Sequence, residues 1–167
     1  MRARWLAVVV FWFVRRFVRR EPDYLIGGAE NPYMRRWWLL PRNRFFNVYL
    51  HHIVRDDDDR ALHDHPWWSF SLMLAGALLE HYRRPSFTGW HDTQRLRRLS
   101  QGAMTFRSAR FAHRLSVMSG GGAWTLFITG PRIREWGFHC PQGWKHWKDF
   151  TGYRFSGDSS VVGPGCE

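Results

Sequence analysis

The chain of 167 residues is poor in cysteine: Cys140 and Cys166 stand far apart and outside any CxxC arrangement. That spacing indicates neither a disulfide framework nor a cysteine zinc site, and the compartment it suggests is a reducing, cytoplasmic one. Long apolar runs are also missing. The stretch from Trp5 to Val14 falls short of the roughly 20 residues that a spanning helix needs. Arg15, Arg16, Arg19 and Arg20 stand where a secretory leader would place small residues for cleavage, so neither a membrane span nor a signal peptide is expected. Acidic residues are scarce, 14 against 25 Lys and Arg, which leaves a formal charge of +11. The excess is concentrated early, since up to Arg44 ten Arg face only Glu21, Asp23 and Glu30. Such a field attracts anions without choosing between nucleic acid, an acidic membrane surface and an anionic metabolite. The run RDDDDR at 55–60 lacks the alternate spacing of a calcium loop and reads as a solvated turn. No internal repeat is present.

Aromatic residues, eleven of them tryptophan, and short strand-like runs punctuated by Gly and Pro dominate instead. They point to one domain of mostly β architecture, a barrel or sandwich. Residues 1–20 read as an amphipathic helix in which Trp, Phe and Val interleave with Arg. It is expected to pack on the domain or to join two copies in a homodimer, with an anionic membrane surface as the alternative. Residues 21–155 form the body and 156–167 a flexible tail. Within the body, strands are expected over Phe45–Val54, over Trp67–Ala75, and over Ala77–Arg83 beyond a bend at Gly76. A loop at 84–94, a turn at Gly102 and a glycine hairpin at 119–122 follow. The stretch WKHWKDF at 144–150 mixes bases with aromatics as single-strand nucleic-acid binders do, but no accompanying motif supports that role. Aromatics that close one end of a barrel are the favoured reading.

The stretch ALHDHPW carries the chemistry. Side chains two apart on a strand share a face, so His63 and His65 can aim both imidazoles at one point while Asp64 faces away. Downstream, GAMTFRSARFAHRLSV places His113 at the start of another strand. The sequence here resembles the cupin superfamily. The motif G(x)5HxH(x)3-4E(x)6G is matched at His63, His65 and Gly76, and G(x)5PxG(x)2H(x)3N is matched in spacing at Gly102 and His113. Ser108, Arg110 and Val117 replace the usual Pro, Gly and Asn. The stretches RALHDHPW and WGFHCPQGW further resemble cupin-like proteins met in bacteria and their phages.

The resemblance implies a small all-β cupin barrel (a double-stranded β-helix, or jelly roll) with an added N-terminal helix. It also implies one divalent metal ion held by His63, His65 and His113. Iron is the first expectation, with zinc, nickel and manganese open. The usual fourth ligand, Glu, falls by spacing on Ser69 or Phe70, so the carboxylate is missing and the site resembles the three-histidine centres of thiol dioxygenases. Three neutral imidazoles leave the ion its full charge, which favours an anionic ligand. The implied function is dioxygenase-like oxidoreductase chemistry on a small anionic substrate. The rival is a non-catalytic cupin-scaffold module that binds a small anion, carbohydrate or nucleic acid, its metal structural or lost. Strand parity adds Ser69, Ser71 and Met73 to the pocket, and His81 as well if Gly76 leaves the register unchanged. Leu115 shares the face of His113, and Arg107 is a candidate for the anion. His51 or His52 is expected to face the core.

Overall fold

The computed structural model describes residues 2–27, 29–56, 61–83, 94–153 and 163–167. The chain begins with α1 (Arg2–Val14), and a 3-10 turn (Arg15–Arg19) continues it. Twelve strands follow among the described residues: β1 (Tyr24–Ile26), β2 (Met34–Trp38), β3 (Asn47–Ile53), β4 (Leu62–His63), β5 (Ser69–Ala75), β6 (Ala77–Tyr82), β7 (Arg95–Ser100), β8 (Met104–Arg107), β9 (His113–Val117), β10 (Ala123–Thr129), β11 (Gly137–Cys140) and β12 (Gly143–His146). A single helical turn, α2 (Trp147–Phe150), comes last. All pairings are antiparallel and build two six-stranded sheets. The first runs β1-β2-β3-β10-β5-β8 and the second β12-β11-β4-β9-β6-β7.

Alternation along the strands decides what lies between the sheets. Met34, Ile53, Met73 and Ala123 of the first sheet meet Leu78 and Leu99 of the second in one buried cluster, and Leu115 and Val117 pack against it. The opposite face of the first sheet is apolar too, and α1 covers it: Ala7, Val10, Phe11 and Val14 pack over Leu50, Leu72, Leu74 and Trp124. A strand covered on both faces, such as β5, is therefore explained by a helix on the outside.

Two glycines shape the site. Gly76 (φ +75) separates β5 from β6, and a Cβ there would lie 2.3 Å from the Gly122 carbonyl oxygen. The inward set changes from odd (Ser69, Ser71, Met73) to even (Leu78, Glu80, Tyr82) across it. Gly102 (φ +85) lets β7 turn into β8 directly beneath the backbone of Arg4, 2.9 Å from a Cβ placed there.

Two expectations change. Cys140 and Cys166 form a disulfide, and residues 163–167 lie beside α2, where the Gly165 N–H donates to the Phe150 carbonyl at 3.1 Å. The inference of a reducing compartment, which rested on unpaired thiols, loses that support. Of the proposed flexible tail, residues 163–167 are docked: Lys145 Nζ donates to the carbonyl oxygens of Gly165 and Glu167 at 2.8 and 2.7 Å. Residues 57–60 of the RDDDDR run, residues 84–93 of the expected loop at 84–94 and residues 154–162 lie outside the described residues. Aromatics of the 144–150 stretch pack on the second sheet, with Phe150 stacked on Phe138 at 3.7 Å and Trp147 on Trp136 at 5.7 Å. Among the described residues, no helix is long and apolar enough to cross a membrane.

Candidate metal centre

His63 closes β4 and is paired directly with His113 at the start of β9. His65 follows in the connection to β5, held by its backbone N–H on the Ala109 carbonyl at 3.1 Å. Asp64, between them, points the other way and is buried. It accepts from the backbone N–H of Gly137 at 2.9 Å and the Trp144 indole at 3.1 Å, and it pairs with Arg134 at 2.9 Å. Asp64 thus anchors the β11–β12 hairpin, and the two flanking imidazoles are held toward the interior as the HxH spacing requires.

The three histidines offer one nitrogen each within 4.8 Å of one another. The Nε2 atoms of His65 and His113 lie 2.9 Å apart. Two lone pairs aimed at each other over that distance repel, so the contact calls for a proton or a cation between them. Two nitrogens each about 2.0–2.1 Å from one ion at a right angle would be about 3.0 Å apart, so the donor set fits a divalent metal. Aromatic rings frame the cluster: Trp67 stacks on His65 at 6.4 Å, Phe111 lies 5.8 Å from His113, and Trp136 and Phe138 lie 6.3 and 5.7 Å from His63.

A carboxylate is present after all, behind the cluster. Glu80 of β6, fully buried, accepts a hydrogen bond from His113 Nδ1 at 2.7 Å. That bond fixes the His113 tautomer, leaves the Nε2 lone pair for a cation and raises its basicity. Glu80 also pairs with Arg107 Nε at 2.6 Å and with Arg97 Nε. Arg107, 3% exposed, donates from Nη1 to Ser71 Oγ at 2.9 Å, and Ser71 shares a hydrogen bond with Thr105. Burial opposes the Glu80 charge, but the His113 hydrogen bond and Arg107 outweigh it and hold the carboxyl far below its ordinary range. Burial pushes His113 down to about 4 and His65 well below 6.5, so both rings are neutral at pH 7 and available as ligands.

The facing wall of the first sheet is polar. Arg36, His51 and Thr125 sit side by side on β2, β3 and β10, and Tyr49 and Ser71 flank Phe127 one step along. Arg36 Nε donates to His51 Nε2 at 2.9 Å and its guanidinium lies over the Tyr49 ring at 4.8 Å. No carboxylate pairs with Arg36 among the described residues, and its charge helps to depress both His51 and His65. Ser69 lies 1% exposed beside Arg107, its hydroxyl without a partner among the described residues.

Of the residues singled out in the sequence, His63, His65 and His113 come together. Ser69, Ser71 and Arg107 line the interior beside them, and Met73 and Leu115 lie in the apolar cluster farther in. His81 is turned away: its ring meets Gln94 at 3.0 Å and Ser116 at 3.4 Å, because Gly76 reverses the parity and brings Glu80 inward in its place. Of the pair His51 and His52, His51 is the buried one, and Glu80 and Arg36 are the additions that the sequence motifs did not carry.

No family profile and no curated protein matches the sequence. Solved structures do. Iron(II) HppE in complex with substrate superposes over 66% of this chain and 57% of its own, with a TM-score of 0.51 and 16% identity. A single-residue mutant of Bacillus subtilis oxalate decarboxylase superposes over 74% of this chain and 31% of its own, with a TM-score of 0.50 and 14% identity. The fold is a cupin fold. This chain therefore spans little more than half of the first neighbour and a third of the second.

Proposed function

We propose that this cupin-fold chain is a metal-dependent enzyme whose single divalent ion is held by His63, His65 and His113 and whose substrate is a small anion. The observation that carries the reading is the His65–His113 nitrogen contact backed by the Glu80 hydrogen bond, since such backing is how proteins orient metal-binding histidines. Iron is the first choice, with zinc, nickel and manganese as alternatives. When bound, iron would supply redox and oxygen chemistry of the dioxygenase type. The chain's own part follows from its charges. Glu80 neutralises one of its two arginine partners, so the buried network is cationic even before a metal is added. Arg36, which pairs with no carboxylate among the described residues, offers a guanidinium to the substrate's carboxylate or similar oxyanion. Ser69 Oγ donates a further hydrogen bond, and the aromatic frame excludes water and strengthens these contacts.

The test is elemental analysis of protein purified without chelator, alongside His63→Ala, His65→Ala and His113→Ala. One equivalent of iron in the parent and at least tenfold less in every variant is expected. A folded protein that takes up no metal would establish the binding-module reading instead, and stoichiometric zinc would move the chemistry to hydrolysis. Arg36→Gln is expected to keep the metal and to weaken binding of small carboxylates such as oxalate, followed by calorimetry, by roughly tenfold or more, the worth of a charge-assisted bond. Unchanged carboxylate affinity would remove Arg36 from the substrate's contacts.

A further inference from the structure

Covering the sheet uses only half of the surface of α1. Ala7, Val10, Phe11 and Val14 face inward, yet the solvent side is also apolar: Trp5 is 71% exposed, Trp12 60% and Phe13 52%, with Val8 and Val9 between them. A second element continues this surface. The segment between β2 and β3 is folded by Asn43, whose side-chain oxygen accepts from the backbone N–H groups of Phe45 and Phe46 at 2.9 and 3.1 Å. The turn presents Phe45 at 64% exposure and Phe46 beside it. The two elements are joined, because the Trp37 indole donates to the Arg20 carbonyl at 3.0 Å and Arg20 donates to the Trp38 carbonyl at 3.1 Å.

Arginine borders the apolar surface. Arg15, Arg16 and Arg19 are exposed at the end of α1, and Arg42 and Arg44 are exposed in the turn, Arg44 over the Phe45 ring at 4.9 Å. Of the two acids beside them, Asp23 is already paired with Arg20 at 2.6 Å, and the exposed Glu21 stands alone against this arginine border. We propose that this face docks on an anionic lipid bilayer, Trp5, Trp12 and Phe45 entering the headgroup region and the arginines meeting the lipid phosphates. Tryptophan and phenylalanine prefer that interface, and basic residues beside it add attraction to anionic headgroups. A spanning role does not fit, since 13 helical residues cover only about 20 Å of a hydrocarbon core about 30 Å thick. A second copy of the chain fits poorly as occupant, because its arginine border would face an identical one.

The test uses the full chain with phosphatidylcholine vesicles, with and without phosphatidylglycerol, followed by co-sedimentation and tryptophan emission. Binding and a blue shift are expected only with phosphatidylglycerol, and added salt should release the protein. The double variant Trp5→Ser/Trp12→Ser, which alters exposed side chains, and the charge variant Arg16→Gln/Arg19→Gln should each lower the bound fraction roughly tenfold while the melting temperature stays unchanged. No binding, or equal binding to neutral vesicles, overturns the proposal. So does a concentration-dependent dimer in sedimentation that the Trp5→Ser/Trp12→Ser change abolishes.

Discussion

Glu80→Ala is expected to lower the folding free energy by about 3–5 kcal/mol, the usual loss when one partner of a buried ion pair is removed. Glu80 is fully buried, and its removal would leave Arg107, itself 3% exposed, with a buried positive charge and without its ion-pair partner. His113 would lose the acceptor of its Nδ1–H in the same step. Glu80→Gln separates the two consequences. The amide oxygen still accepts from His113, so the protein should fold, but the ring is held by a neutral acceptor and metal affinity should fall by about 10–100-fold. Denaturant midpoints would measure the first effect, and metal competition against a chelator would measure the second. If Glu80→Gln binds metal as tightly as the parent, the carboxylate serves the arginines and not the metal centre.

The position of Glu80 shows where the sequence stops being legible. The odd residues His63 and His65, with His113, could be placed because the HxH spacing and the strand parity are local facts. Ser69, Ser71 and Met73 lie inward by the same parity. The parity then fails at Gly76, where a positive φ and the close approach of Gly122 reverse the inward set, so Glu80 replaces His81. Periodicity cannot carry register through a corner of this kind. Arg36 went unassigned for a different reason. Met34–Trp38 reads MRRWW, which places an arginine and a tryptophan on each face, and only the outer helix over Trp37 shows that Arg36 is the inward set. The Cys140–Cys166 pair was unreadable because separation along the chain says nothing of proximity across it.

Below neutral pH the metal-free protein should lose stability steeply. His113 is buried and neutral, its folded pKa about 4 against an ordinary 6.5, and burial also depresses His65 and His51. In each case the folded value lies below the unfolded one, so between them the unfolded chain binds the extra proton. Stability is therefore complete above pH 6.5 and falls as the pH drops toward 4. For His113 alone the loss corresponds to about 3 kcal/mol, and three such rings give a slope of up to about 4 kcal/mol per pH unit. Glu80 adds to this slope only at the lower edge of the window: its depressed carboxyl stabilises the fold and begins to lose that contribution as the pH falls past the ordinary 4.5. Protons and metal compete for the same nitrogens, but burial keeps His113 deprotonated down to about 4, so a saturating divalent ion should raise the unfolding midpoint at pH 5 as well as at pH 7. Denaturant unfolding across pH 5 to 7.5, with and without metal, provides the measurement. His51→Gln, outside the metal cluster, should make the metal-free slope shallower while leaving the metal-dependent increment at pH 7 intact. A stability that is flat from pH 7 to 5 would show that these rings are not held neutral by burial.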